Sequence, residues 1–130
     1  MSVAGGEAAS VIVVGYSAKP EGQAALRRSI AEARLRGSRL IVVHTTPEVE
    51  TDELTVELDR SGVAYEVAAP VEDRAPAEEL IAIAERSDAA FIVIGLRRRS
   101  PVGKLLLGSN AQRVLLDASC AVLAVKADER

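Results

Sequence analysis

The chain has 130 residues, which is the length of one domain with a single core. Hydrophobic residues make up 48% and charged residues 27%, a composition that predicts a folded chain rather than a disordered one. Aromatic residues make up only 2%, which leaves few platforms for stacked bases and argues against single-stranded nucleic acid as the partner. The net charge of −3 is too small to indicate a general polyanion partner.

Cysteine content and the chain's apolar segments bear on the cellular compartment. The single cysteine, Cys120, excludes an intramolecular disulfide and is typical of a reducing compartment. No segment has the length and apolar character of a transmembrane helix. Residues 1–9 lack the basic and apolar regions of a signal peptide, and we expect them to be disordered. The sequence therefore predicts a cytoplasmic protein with no membrane partner.

Apolar runs alternate with helical patterns along the whole chain. The runs predict five strands, at 11–15, 40–43, 63–68, 89–94 and 121–125. Four helices are predicted between them, beginning at Pro20, at Asp52 with Thr51 as its cap, at Pro76 and at Ser109. Gly37 and Gly62 are expected to end the first two helices. The third strand is more polar than the others and is predicted to lie at an edge.

Unbroken alternation of strand and helix predicts a parallel sheet with helices on both faces. The fold class expected is α/β, Rossmann-like, with five strands in the order 3-2-1-4-5. In that order the direction of winding reverses between strands 1 and 4, and ligands bind beyond the carboxyl ends of the strands at that point. The topology therefore predicts that Gly15-Tyr16-Ser17 lies beside Gly95.

The segment from Gly95 to Gly108 is strongly basic. It carries four cations and no acid: Arg97, Arg98, Arg99 and Lys104. Residues 109–112, Ser-Asn-Ala-Gln, fit the capping-box pattern at the start of a helix, where free N–H groups and the helix dipole attract anions. Glycines at 95 and 108 would let the backbone approach a ligand closely. The sequence predicts a site for a phosphate-bearing ligand, although a strand end, a turn and a solvated basic face can give the same residues.

Several sharper motifs are absent. Arg98 and Leu105 stand where a Walker A loop needs Gly and Ser or Thr, and no Gly-x-Gly-x-x-Gly follows the first strand. The first strand also lacks the acids of a receiver domain. The one histidine, His44, is predicted to be a structural residue with its hydrogen bonds satisfied, so no metal site and no catalytic triad are expected.

From about Val11 to Lys126 the chain resembles the universal stress protein family. Gly95 and Gly108-Ser109 match the first and last parts of that family's nucleotide motif, Gly-x2-Gly-x9-Gly-(Ser/Thr), and residues 120–126, Cys-Ala-Val-Leu-Ala-Val-Lys, resemble its closing strand. The resemblance implies an adenine nucleotide alpha hydrolase-like domain over residues 10–130. It further implies a dimeric stress-response regulator that binds ATP or another adenine nucleotide, with or without magnesium.

The family pattern places the adenine near the turn after strand 1 and the end of strand 2, and the phosphates and ribose along the basic segment. The residues implied are Gly15, Tyr16, Ser17, Thr45, Ile94, Gly95, Arg97, Arg98, Gly108, Ser109, Asn110 and Ala111. Two of them depart from the family pattern. Ser17 replaces the usual aspartate, and Arg98 replaces the second glycine of the motif.

Three functions remain open from the sequence. The first is a nucleotide-binding regulatory module without fast chemistry. The second is a dimeric interaction module without nucleotide, which Ser17 and Arg98 favour. The third is a slow ATPase that uses Ser109 or a bound magnesium ion. In each, a homodimer is expected to form through the last strand, because Ala121–Val125 is a wholly apolar edge.

Overall fold

The computed structural model describes residues 10–46, 51–68, 73–98 and 105–127. Strands and helices alternate along these ranges. They are β1 (Val11–Tyr16), α1 (Pro20–Arg36), β2 (Arg39–His44), α2 (Thr51–Ser61), β3 (Tyr65–Ala68), α3 (Pro76–Ser87), β4 (Phe91–Arg98), β5 (Leu105–Leu106), α4 (Ser109–Asp117) and β6 (Ala121–Lys126). Residues 1–9, for which the sequence predicts disorder, lie outside the described ranges, as does the central part of the basic segment, 99–104.

Five of the strands form a parallel sheet in the order β3-β2-β1-β4-β6. This confirms the predicted order, with β6 as the last strand of the prediction. Val13 of β1 lies between Ile41 of β2 and Ile92 of β4 in the register. β1 and β4 are neighbours in the sheet, but α1, which follows β1, and α3, which precedes β4, cover opposite faces. The carboxyl ends of these two strands therefore form the switch point of the fold.

Aliphatic side chains fill both faces of the sheet. Ile12 and Val14 of β1 point to the face covered by α1 and α2, where Leu26 and Leu58 are fully buried. Val13 points to the opposite face, covered by α3 and α4. Burial on both faces explains why the central strands read as continuous apolar runs. Within the described ranges, no helix combines the length and the apolar character needed to cross a bilayer.

The backbone at the helix ends follows the sequence signals closely. Proline occupies the start of α1 and of α3, where its missing N–H costs nothing. Gly37 and Gly62 follow α1 and α2 with φ of 67° and 75°, the left-handed conformation that glycine adopts most easily. Helix α2 begins at Thr51 itself rather than one residue later.

Strand β4 is longer than predicted. The sequence predicts that the strand ends before Gly95, whereas β4 continues to Arg98 and pairs with a two-residue antiparallel strand, β5. Arg97 lies opposite Leu106, and Arg98 lies opposite Leu105. The ladder hydrogen bonds satisfy backbone groups that a free loop would leave to water, and a pairing of only two residues leaves almost no periodic signal in the sequence.

Helix α1 begins in very close contact with the end of β4. A Cβ atom added to Gly95 would lie 2.0 Å from the carbonyl oxygen of Glu21, and one added to Gly22 would lie 2.3 Å from Oγ of Ser17. These distances are far below any normal carbon–oxygen contact. Glycine at position 95 is therefore required by the packing of α1, not only by the approach of a ligand as the sequence suggests.

We predict that Gly95→Ala destabilises the protein by about 1–3 kcal/mol, because the added methyl group must push the first turn of α1 away from β4. The matched control is Gly108→Ala, whose added Cβ would meet no atom of the described residues within 4 Å. The control is expected to change the free energy of unfolding by about 0.5 kcal/mol or less. Urea unfolding followed by circular dichroism measures both, and equal midpoints for the two variants would contradict the packing argument.

Candidate functional site

A cavity of about 530 Å³ opens at the carboxyl edge of the sheet. It lies at the switch point between β1 and β4 and is bordered by the first residues of α1 and of α4. Its volume is in the range of sites for small ligands and cofactors, about 300–1,000 Å³. Of the twelve residues that the sequence predicts for a nucleotide site, ten belong to the described lining of this cavity, and Tyr16 and Arg98 do not.

The two exceptions have different positions. The Tyr16 side chain is 7% exposed and packs in the core beneath α1 and α2, edge-on to His44 with ring centroids 5.8 Å apart. Its backbone carbonyl accepts hydrogen bonds from the N–H and Oγ1 of Thr45, at 2.9 and 3.1 Å. Tyr16 and Thr45 thus join the ends of β1 and β2, and the donor groups of Thr45 bond within the protein. For Arg98 only the backbone, at the end of β4, is described.

Ser17 lines the cavity but is only 5% exposed. Its Oγ accepts a hydrogen bond from the backbone N–H of Lys19 at 3.3 Å and lies against Gly22. The small side chain therefore fixes the turn from β1 into α1. The close approach of Gly22 leaves little room for a larger residue in this conformation.

Three charged side chains are found in the described lining of the cavity: Lys19, Glu21 and Arg97. Nη1 of Arg97 lies 3.5 Å from Oε2 of Glu21, which connects the end of β4 to the first turn of α1. Lys19 is the residue just before α1 and is exposed. Lys19 is not among the residues that the sequence predicts for the site. Its place in the β1–α1 connection, at a switch point, was the signal that could have identified it.

The start of α4 differs from the predicted capping box. Gly108, not Ser109, is the N-cap residue, with φ −69° and ψ 167°, and Ser109 is the first residue of the helix. The carbonyl of Gly108 accepts the N–H of Gln112 at 3.0 Å, as an N-cap carbonyl does. Because a glycine occupies the cap position, no cap side chain bonds to the first N–H groups of α4. The capping-box prediction was wrong by one residue, and the helix end is left more open to a ligand.

Among the described residues, none requires glycine at position 108. The φ of Gly108 is negative, so the backbone conformation is available to any residue, and an added Cβ would meet no atom of the described residues within 4 Å. Gly95, by contrast, is required by packing. Gly108 also lines the cavity in front of α4.

Helix α4 is bound to α3 at the same edge of the sheet. Oδ1 of Asn110 accepts the backbone N–H of Ala77 at 3.3 Å, and a guanidinium nitrogen of Arg113 donates to Oε2 of Glu78 at 2.9 Å. The Arg113 guanidinium beside Glu78 lowers the pKa of that carboxyl. Asn110 thus satisfies one of the free N–H groups at the start of α3, and the two helix starts are held side by side.

His44, at the end of β2, is 6% exposed, and its Nε2 has no hydrogen-bond partner in the part of the chain that the structure describes. The expectation of a hydrogen-bonded structural histidine was therefore wrong for this nitrogen. Burial lowers the pKa of the imidazole, because the charged form loses its hydration. Within the described ranges, no group of three or more His, Cys, Asp or Glu side chains is placed to hold a metal ion.

The fold is that of a doubly wound α/β protein with a cavity at its switch point. The family model described as the universal stress protein family matches residues 9–126. A universal stress protein from Mycolicibacterium smegmatis is 44% identical over 127 residues, covering 89% of this chain and 97% of that protein. The chain therefore belongs to the universal stress protein family, which confirms the resemblance.

Solved structures agree with this assignment. A universal stress protein from Archaeoglobus fulgidus is 32% identical, with a TM-score of 0.69, and the match covers 92% of this chain and 100% of that chain. A second structure, of the universal stress protein from Archaeoglobus fulgidus in complex with dAMP, is 26% identical with a TM-score of 0.63, over 92% of this chain and 98% of that chain. These matches confirm the Rossmann-like fold.

We predict that part of the pH dependence of stability comes from His44. Its pKa lies below the ordinary value of 6.5 in the folded state, so the unfolded state takes up the proton first as the pH falls. This contribution to stability is complete above pH 6.5 and is lost below it. The free energy of unfolding should therefore fall between about pH 7.5 and about pH 5.5.

His44→Leu removes the titrating group. We expect the free energy of unfolding of this variant to decrease less between the two pH values, whatever the effect of the substitution at neutral pH. Urea unfolding of both proteins at the two pH values measures the difference. Parallel pH profiles for the two proteins would show that the histidine does not carry the effect.

Proposed function

We propose that this protein is a stress-response regulator that binds an adenine nucleotide in the cavity at the switch point. The observation that carries the proposal is Gly108, a glycine that neither its backbone conformation nor packing against the described residues requires, at the uncapped start of a helix that borders the cavity. A residue without a side chain at this position allows phosphate to reach the helix N–H groups. The related Archaeoglobus fulgidus protein in complex with dAMP supports an adenine nucleotide as the ligand.

The cavity offers surfaces suited to each part of a nucleotide. Ser109 and the N–H groups of the first turn of α4 would bind phosphate, assisted by the helix dipole and by Arg97. The wall on the α3 and α4 side is apolar, with Leu80, Ile94 and Val114, and offers contact area for the base. Thr45 donates both its N–H and its hydroxyl to the carbonyl of Tyr16, so neither donor is free for the base.

We infer binding and regulation rather than rapid hydrolysis. An ATPase needs a group that positions or deprotonates water, and Glu21, the only carboxylate in the described lining, is paired with Arg97. Assay of phosphate release from ATP tests this. Turnover that Ser109→Ala abolishes, and that a mock preparation lacks, would establish the slow ATPase instead.

We predict that Gly108→Ala weakens nucleotide binding about tenfold or more, equivalent to about 1.4 kcal/mol, because the methyl group occupies space where phosphate approaches the helix. Calorimetric titration with AMP, dAMP, ADP and ATP measures the affinity. The unfolding midpoint of the same variant, expected to be unchanged, separates a local effect from a loss of fold. Unchanged affinity in the variant would show that phosphate does not approach the helix beside Gly108. No binding of any of these nucleotides to the wild-type protein at millimolar concentration would favour the ligand-free interaction module.

We further propose that the protein acts in the cytoplasm as a homodimer formed through Ala121–Val125. Strand β6 lies at the edge of the parallel sheet, where its described pairing is to β4 alone. Ala121 and Ala124 are exposed, and no charged residue precedes Lys126 in the strand. An apolar edge without charged residues favours pairing with a second copy about a two-fold axis. The lone, half-buried Cys120 supports a reducing compartment.

We predict that Ala124→Lys converts the dimer to a monomer, because it places a charge on the apolar edge. The matched control is Val56→Lys, on the exposed face of α2 near the opposite edge of the sheet. Sedimentation equilibrium gives the mass of each, and circular dichroism confirms the fold. A wild-type monomer, or a dimer that Ala124→Lys leaves intact, would exclude this interface.

A further inference from the structure

The described lining of the cavity has more positive than negative charge. Its described lining carries two cations, Lys19 and Arg97, and one carboxylate, Glu21, a surplus of one positive charge. The cations come from different elements, Lys19 from the turn before α1 and Arg97 from the end of β4. A phosphate group in front of α4 would therefore meet positive charge from the helix start and from these two side chains.

The carboxylate of Glu21 is already engaged. Its Oε2 lies 3.5 Å from Nη1 of Arg97, and its side chain is 17% exposed. Its backbone carbonyl lies against Gly95, which restricts movement of this turn of α1. A magnesium ion that used this carboxylate would have to take it from Arg97, and it would lie near a guanidinium group. Magnesium sites with nucleotides ordinarily use one or two free carboxylates together with the phosphates.

The sequence extends the same charge pattern. Between Gly95 and Gly108 the chain has no acid, and it carries Arg98, Arg99 and Lys104 in addition to Arg97. Arg and Lys are effective partners of phosphate in their own right.

We propose that this site binds the nucleotide as the free anion rather than as its magnesium complex, with Lys19 and Arg97 neutralising the phosphates in place of the metal. The proposal rests on the proposed nucleotide function and defines the species of ligand. A magnesium ion cancels part of the phosphate charge, so the complex is attracted less strongly by a cationic site. It also brings a cation close to Lys19 and Arg97.

The test is titration of the full-length protein with ATP and with AMP, in EDTA and in saturating magnesium chloride at matched ionic strength. ATP is expected to bind more tightly in EDTA, by about threefold to tenfold. AMP, which binds magnesium weakly, is expected to show the same affinity in both buffers. Loss of ATP binding in EDTA would overturn the proposal and leave the nucleotide function intact, as would binding of AMP without any binding of ATP. Failure of both nucleotides in both buffers would instead refute the nucleotide function itself.

Lys19→Ala tests the role of the side chain directly. Lys19 makes no side-chain cap hydrogen bond to α1, so the variant should fold normally. ATP affinity in EDTA is expected to fall about tenfold, and to fall less in magnesium, where the metal already offsets phosphate charge. Arg86→Ala is the matched control, since it removes one exposed positive charge at the far end of α3. An equal effect of Lys19→Ala in both buffers, or an equal effect of the control, would exclude the assigned role.

Discussion

The contact between the first turn of α1 and the end of β4 is the constraint on which the site depends. The carbonyl oxygen of Glu21 occupies the place where a side chain at position 95 would begin. This contact determines how far α1 extends over the carboxyl edge, and so where Lys19 and Glu21 lie relative to Arg97. The wall of the cavity on the α1 side is thus fixed by backbone packing, which tolerates little adjustment. The wall on the α4 side is more open, with free space beside Gly108.

Much of the fold could be predicted because its signals are local and agree with one another. Continuous apolar runs located the central strands, Pro20 and Pro76 located helix starts, and strict alternation gave the sheet order. The two-residue strand β5 was missed because its pairing with β4 is a tertiary event with almost no local pattern. The cap of α4 was placed one residue late because Ser109 fits a side-chain motif, whereas Gly108 leaves no such signal.

The sequence predicted the site in outline, but the role of each residue could be assigned only from the three-dimensional structure. The family pattern brought together residues that do line one cavity, including Gly108 and Ser109. The family pattern assigned the same role, close approach of a ligand, to Gly95 and Gly108. Among the described residues, packing requires glycine at position 95 but not at position 108. Lys19 was not predicted for the site, because only the fold brings it to the same cavity as Arg97, which is distant in sequence. The lack of a hydrogen-bond partner for Nε2 of His44 among the described residues could not be predicted either, because one sequence does not show which groups a side chain contacts.

The burial of Tyr16 has a consequence for spectroscopy. The chain contains no tryptophan and two tyrosines, so its near-ultraviolet signal comes mainly from Tyr16 and Tyr65. Tyr16 is held in an asymmetric apolar setting at the end of β1, whereas Tyr65 lies in β3, where its hydroxyl donates to Asp59. Near-ultraviolet dichroism reports fixed tertiary packing. The molecule therefore carries its own optical probe one residue from the switch point, and rearrangement there can be followed without a label.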